Sequence, residues 1–311
     1  MALPTLSVIL PNFNHARYLP EALDSLLRQS VQPLEIIILD DASTDHSVPV
    51  IQGFAAKNPV IRLEKNEKNR GVIFNMNRGV DLARGDYVYF TGADDLAEPG
   101  LFEKSLQLLK QNQQAGLCCS DPASFDGVTG KINENRMRLS PGPEFFAPGQ
   151  VAELARRKRV LISGMSVMKR SAVLEAGKFL EELKWHCDFF LVFTIVFRHG
   201  ICYIPERLNR WRATPGSYMS AGLRDLRAQR QVVGHILELL HTPEYRDVLP
   251  HFRKSGVLAF TPRAAFTLLG NRKYWPFLNY ALLKQAVPSD IFWSLPSWLQ
   301  GKIRSLRARF N

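Results

Sequence analysis

No stretch of this sequence stays apolar long enough to cross a bilayer. The longest run, Phe189 to Phe197, holds nine residues and includes Thr194, against the roughly 20 that a membrane-spanning helix needs. The first five residues, Met1-Ala2-Leu3-Pro4-Thr5, carry no basic leader and no signal-like apolar segment, so the expected location is the cytoplasm. Cysteine is scarce. Cys118, Cys119, Cys187 and Cys202 show no C-x-x-C spacing, which argues against a disulfide framework or a zinc site and for buried, reduced thiols. Glycine is missing where nucleotide-binding motifs need it: the turn after the first strand reads Pro11-Asn12-Phe13-Asn14-His15-Ala16-Arg17, and no G-x-x-x-x-G-K-[ST] occurs anywhere. NAD enzymes and P-loop NTPases are therefore disfavoured. Internal repeats and low-complexity tracts are absent too.

What is present is ample core material. Of 311 residues 46% are hydrophobic and 22% charged, with 19 Phe and 5 Trp, which marks a folded chain of one large domain with an appendage or of two modest domains. The net charge of +11 is unevenly placed. Residues 1–200 hold 23 basic and 23 acidic side chains, whereas residues 201–311 hold 17 basic and 6 acidic. An excess confined to one end suggests a surface that meets something anionic.

From residue 6 to about 120 the sequence alternates apolar strands, polar loops and amphipathic helices. Strands are expected at 6–10, 34–39, 61–63, 87–90 and 116–119, and helices at 19–27, 48–56, 72–83 and 102–109. That alternation implies an α/β fold with a mostly parallel sheet covered on both faces. Residues 121–149 read as a long loop, 160–169 as strand-like, 171–176 and 189–199 as helices, and 201–204 as a last strand. Beyond Trp211 the pattern is helical, with segments at 223–240, 248–258, 264–269, 274–286 and 291–310 broken by prolines. The division expected is a sheet domain over 1–217 and a basic, aromatic-rich helical region over 218–311.

Ligands of open parallel sheets bind beyond the carboxyl ends of the strands. Three early strands end suggestively, in Pro11-Asn12-Phe13-Asn14, in Asp40-Asp41 and in Asp94-Asp95. Carboxylates converging on one rim repel one another unless a cation or a donor-rich ligand sits between them, and Mg²⁺ or Mn²⁺ is typically held by one or two carboxylates plus substrate phosphates. A metal and diphosphate site is the reading that follows. The alternative is that Asp40, Asp41 and Asp45 merely cap the next helix.

The segments LSVILPNFNHARYLPEALDSLLRQS, LEIIILDDASTD, NRGVIFNMNRGVDLARGDYVYF and GADD together resemble the family 2 glycosyltransferases, inverting enzymes of the GT-A fold. The likeness is strong over residues 5–120 and looser over 160–217. It implies that Pro11, Asn12 and Asn14 line a nucleotide base, that Asp40 or Asp41 accepts from base or ribose, and that Asn69, Gly71 and Asn77 lie near the base and the sheet edge. Asp94 corresponds to the direct metal ligand of the family's D-x-D motif, followed by Asp95, while Gly92 replaces the first Asp of that motif. Asp188 takes the place of the catalytic base, with Cys187 where Glu is often found. Arg212 is left as the diphosphate partner, since Thr214 stands where His is common.

The resemblance thus implies metal-dependent, inverting transfer of a sugar from a nucleotide-diphosphate donor, a UDP-sugar by preference, to a glycan or lipid-linked acceptor in surface polysaccharide or glycolipid synthesis. Mg²⁺ or Mn²⁺ would be the cofactor. A nucleotidyltransferase would want a glycine-rich basic loop after the first strand, which is lacking. A turnover-deficient, glycosyltransferase-like binding module is the other rival, suggested by Gly92 and the basic C-terminal region. That region combines Arg272, Lys273, Arg307 and Arg309 with Trp275, Phe277, Trp293 and Trp298, a mixture suited to peripheral contact with an anionic membrane surface. Nucleic acid is the less favoured partner.

Overall fold

The computed structural model describes residues 2–134, 136–213, 222, 225–260, 267–268, 270–279 and 282. The chain divides into two compact units, one of residues 1–146 and 161–217, the other of 147–160 and 218–311.

The first unit is built on β1 (Leu6–Asn12), α1 (Leu19–Leu27), β2 (Glu35–Asp40), α2 (Ser47–Ala55), β3 (Ile61–Lys65), α3 (Val72–Leu82), β4 (Tyr87–Phe90), β5 (Leu96–Ala97), α4 (Leu101–Gln111), β6 (Leu117–Asp126), β7 (Ile132–Glu134), β8 (Glu144–Phe146), β9 (Val167–Lys169), α6 (Arg170–Glu175), α7 (Cys187–His199) and β10 (Ile201–Ala213). The helix between β8 and β9, α5 (Pro148–Arg157), falls in the second unit. The strands form one sheet in the order β3-β2-β1-β4-β9-β6-β10-β5, with β7 on β6 and β8 on β10. β3, β2, β1 and β4 run parallel, as do β6 and β10; β9 is antiparallel to both β4 and β6.

The core explains these choices. Val8, Leu10, Ile36 and Ile38 on one sheet face meet Leu19, Leu23 and Leu26 of α1, all fully buried, each such side chain stabilising the fold by roughly 1.5–3 kcal/mol. Leu19, Leu23 and Leu26 fall on one helical stripe, and Pro20 occupies the first turn, where no N–H is needed. On the other face α3 lies against β1, where an added Cβ at Gly79 would come within 2.3 Å of Ile9 Cγ2. Only glycine allows that approach. The four cysteines are free and buried, as expected.

Several elements differ from the sequence reading. The supposed loop over 121–149 contains the second half of β6 together with β7 and β8, because β10 and β7 supply hydrogen bonds that local periodicity cannot reveal. β10 runs on to Ala213 after a register shift between Ile204 and Asn209, its charged residues having hidden it. The stretch 160–169 is strand only at its end, and α5 was not anticipated at all.

In the second unit, α5 and α9 (Leu249–Ser255) pack together and share an ion pair from Lys254 to Glu153 at 3.5 Å. α8 (Leu226–Leu239) is capped by Asp225, whose carboxylate accepts from the backbone N–H groups of Arg227 and Ala228. It buries Val232, Val233, Ile236 and Leu237. A 3-10 turn at Arg272–Phe277 places Tyr274 and Phe277 against His241 and leaves Trp275 half-exposed. The expected helix at 274–286 begins instead within the 3-10 turn, which ends at Phe277, and its later part lies mostly outside the described residues; the helix expected at 264–269 lies largely, and that at 291–310 entirely, outside them. No helix among the described residues is long and apolar enough to cross a membrane.

Candidate active site

Register brings the strand ends to one level. Asn12 pairs with Asp40 across β1 and β2, and Asp40 with Lys65 across β2 and β3. Pro11 lies just inside this rim, opposite Leu39. Asn12 is 2% exposed. Its Nδ2 donates to Asp40 Oδ1 at 2.8 Å and to Ser43 Oγ at 3.1 Å, while its Oδ1 has no hydrogen-bond partner among the described residues. A buried acceptor without a donor costs about 1–3 kcal/mol, so Asn12 is a place where a ligand N–H would be favoured. Asn14 takes a left-handed backbone with φ 56°, and its Oδ1 accepts from the backbone N–H of Thr44 at 2.8 Å. Asp40 Oδ2 accepts from the N–H of Ser43. The β1 and β2 loops are thereby tied into one surface.

Asp41 faces inward to a second group. It accepts from Asn66 Nδ2 and from the backbone N–H groups of Arg70 and Gly71, each at 2.8 Å. Burial alone would raise its pKa, but these donors outweigh it and hold the carboxyl below its ordinary range. Gly71, at φ 87°, begins α3, and its N–H also approaches Asn69 Oδ1 at 3.1 Å. Asn66 and Asn75 complete the clasp at 2.7 Å. Neither was singled out in the sequence, where isolated asparagines carry no pattern. Asn77 is placed elsewhere: its amide donates to the carbonyl of Phe179 and accepts from that residue's N–H, a tie between two segments.

The third group is the turn after β4. Asp95 Oδ1 accepts from the backbone N–H of Arg212 at 2.9 Å and Oδ2 from that of Gly92 at 3.2 Å. Burial and the neighbouring Asp94 carboxylate nevertheless push the Asp95 pKa up to about 7. Asp94 is partly exposed, with His15 Nδ1 4.0 Å from its Oδ1. A Cβ at Gly92 would lie 2.7 Å from Asp95 Oδ2 and 2.9 Å from Asp94 Oδ1, so the two carboxylates lean over the space a side chain would fill. Among the described residues no three His, Cys, Asp or Glu side chains converge as a metal cage. Two mutually repelling carboxylates, one of them already committed to backbone donors, do fit a divalent cation shared with a diphosphate.

Arg212 is held on several sides by its own chain. Its guanidinium lies over the rings of Tyr18 and Phe125, 4.7 and 4.4 Å from their centroids. Nε donates to the carbonyl of Asp94 at 3.1 Å and Nη2 to Glu21 at 2.7 Å. Tyr18, Glu21 and Phe125 were not foreseen.

Asp188 sits in the first turn of α7, its Oδ1 accepting from the backbone N–H of Phe189 at 2.7 Å. Burial raises its pKa above the ordinary carboxylate value in spite of that donor. An added Cβ at Gly164 would stand 3.3 Å from Asp188 Oδ2. Among the described residues, the hydrogen bonds that join Asp94, Asp95 and Arg212 do not extend to Asp188.

Comparison with known proteins agrees with this architecture. The sequence model described as glycosyl transferase family 2 matches residues 7–177. The uncharacterized glycosyltransferase YibD of Escherichia coli strain K12 is 30% identical over 196 residues, covering 59% of this chain and 56% of that protein. An uncharacterized glycosyltransferase of Haemophilus influenzae is 36% identical over 112 residues, 36% of this chain and 45% of that one. The chain thus spans about half the length of these relatives. Among solved structures, S. aureus TarS 1–349 in complex with UDP-GlcNAc is similar with a TM-score of 0.67 at 19% identity, covering 98% of this chain and 87% of that one. The mannosyltransferase PcManGT of Pyrobaculum calidifontis, with GDP-Man and Mn²⁺, gives 0.57 at 17% identity, covering 88% and 76%. The fold is that of the GT-A glycosyltransferases.

Proposed function

The chain belongs to glycosyl transferase family 2, and we propose that it transfers a sugar from a nucleotide-diphosphate donor to an acceptor hydroxyl with inversion at the anomeric carbon. The observation that carries this reading is the carboxyl-end rim of the parallel strands, where Asn12 bonds Asp40 and the Asp94–Asp95 turn follows β4, with His15 of the β1 loop 4.0 Å from Asp94. The unpartnered Oδ1 of Asn12 receives an N–H of the base, and Asp40 with Asn14 holds the surrounding loop in shape. Asp94 is the residue that would hold Mg²⁺ or Mn²⁺, which when bound offsets charge on the departing diphosphate. A UDP-sugar is the favoured donor, by analogy with the UDP-GlcNAc of TarS, although the GDP-Man of PcManGT keeps other nucleotides in the test.

Asp188 is the base. As the acceptor oxygen attacks the anomeric carbon, its proton passes to an Asp188 carboxylate oxygen, the bond from that carbon to the diphosphate oxygen breaks, and the electron pair leaves with the diphosphate. The raised pKa of Asp188 makes it a stronger base than an exposed carboxylate.

The acceptor we infer is a lipid-linked or surface glycan met at the cytoplasmic face of an anionic membrane. Supporting this are the C-terminal excess of basic residues and the half-exposed Trp275, which Arg272 overlies at 5.6 Å. The deciding experiment is a thermal-shift screen of nucleotide sugars with Mn²⁺, followed by donor hydrolysis and transfer assays. Stabilisation by one donor together with Mn²⁺-dependent turnover is the expected result. Binding without any turnover would make the chain a binding module, and the absence of binding by every donor would overturn the reading.

A further inference from the structure

Arg212 has the residue type and location of a phosphate ligand, yet its surroundings leave it little freedom to be one. Its side chain is 8% exposed. The guanidinium lies over the rings of both Tyr18 and Phe125. One edge is spent on the Glu21 carboxylate and another on the carbonyl of Asp94, while the backbone N–H of the same residue holds the carboxylate of Asp95. One residue of β10 therefore grips two successive residues of the turn after β4, and is itself gripped by α1 and β6. A guanidinium lying over two rings and paired with a carboxylate loses part of its attraction for a further anion, since its charge is already balanced and its Nε and Nη2 each donate to an acceptor of the chain.

We propose that Arg212 is a positioning residue, which fixes the Asp94–Asp95 turn and does not itself reach the donor's phosphates. Clamping the Asp94 carbonyl and the Asp95 carboxylate sets the direction in which the Asp94 side chain leaves the turn. The planar fork is what the place demands. A lysine would keep the charge but has no planar group to lie over Tyr18 and Phe125 while donating along two edges. Glu21 and Tyr18 belong to the same device, because they hold the guanidinium from the side of α1.

The part of this inference that concerns metal and donor rests on the proposed function; the part that concerns the turn does not, and the test separates them. Hydrogen exchange of the ligand-free protein comes first. Arg212→Ala and Arg212→Lys should both speed exchange of the amides at 92–97 while those of β1 and β2 keep their protection. Glu21→Gln, which perturbs the fold less, should do the same more weakly. Calorimetric titration with UDP follows, in Mn²⁺ and in EDTA. The expected result is a loss of about 10- to 100-fold in affinity with Mn²⁺, the usual effect of removing a group that orients a metal ligand, and unchanged affinity in EDTA. Equal losses with and without Mn²⁺, unaltered exchange at 92–97, or full function in Arg212→Lys would each overturn the proposal and make Arg212 a phosphate contact. If the unaltered protein binds UDP under neither condition, the donor reading fails, and the exchange measurement still decides the role of Arg212.

Discussion

The Asp94–Asp95 pair stores an electrostatic conflict that can be read out by pH. The Asp95 carboxyl, pushed up to about 7 in the folded chain by burial and by Asp94, has an ordinary value near 3.9 when unfolded. The folded state therefore binds this proton more tightly, and the stability it contributes is fully present below about pH 4 and lost as pH rises through about 7. Urea unfolding between pH 5 and 8 should show that decline. Asp95→Asn should remove this component, and Asp94→Asn should shrink it by removing the like charge. Asp188 makes a kinetic counterpart. Its pKa is raised by burial, so if Asp188 is the base as proposed, kcat should climb with pH through that raised value. Asp188→Asn should lower kcat by about 10²–10⁴ while leaving calorimetric UDP affinity in Mn²⁺ unchanged.

At the scale of elements, the entry to α3 is the point where backbone geometry and the site depend on each other. Gly71 has φ 87° and donates its N–H to Asp41. Gly71→Ala should cost about 1–3 kcal/mol of stability through strain at that angle, measurable as a lower urea midpoint, and should loosen the Asp41 clasp. The same scale shows what was legible beforehand. Apart from the two-residue β5, the strands and helices up to residue 120 announce themselves by an apolar run, as in the buried Glu35–Asp40 strand, or by a helical stripe, as in Leu19, Leu23 and Leu26. The later half of β6 and most of β10 do not, since their hydrogen bonds come from each other across the sheet. Site residues divide in the same way. Asn12, Asp40, Asp94 and Asp95 stand at the ends of legible strands, whereas Glu21 and Arg212 lie 191 positions apart and only folding discloses their pairing.

At the scale of the whole molecule, charge is partitioned between regions. Residues 1–200 balance 23 basic against 23 acidic side chains, and the excess of +11 lies beyond them. If the proposed membrane contact holds, the full-length chain should float with anionic vesicles and not with neutral ones, and less so at high salt, which screens surface charge. Replacing Arg272 and Lys273 with Glu should weaken flotation, and equal recovery with both kinds of vesicle would count against an electrostatic anchor.

Among the described residues β3 ends the sheet order with no strand on its outer edge, which bears on how the molecule behaves in a crowded solution. An unpaired strand is a template on which another chain can add. On this strand only Ile61 is buried; Arg62, Glu64 and Lys65 follow it, with Glu64 ion-paired to both Arg62 and Arg78 at 2.8 Å. Extending the sheet through a second copy would strip water from these ion pairs. The opposite margin, β5, is only two residues long and offers little to pair with. The charges on β3 thus act as a guard against strand addition, and replacing Arg62 and Glu64 with valine should leave the interior intact while making the protein self-associate, visible as concentration-dependent growth in light scattering.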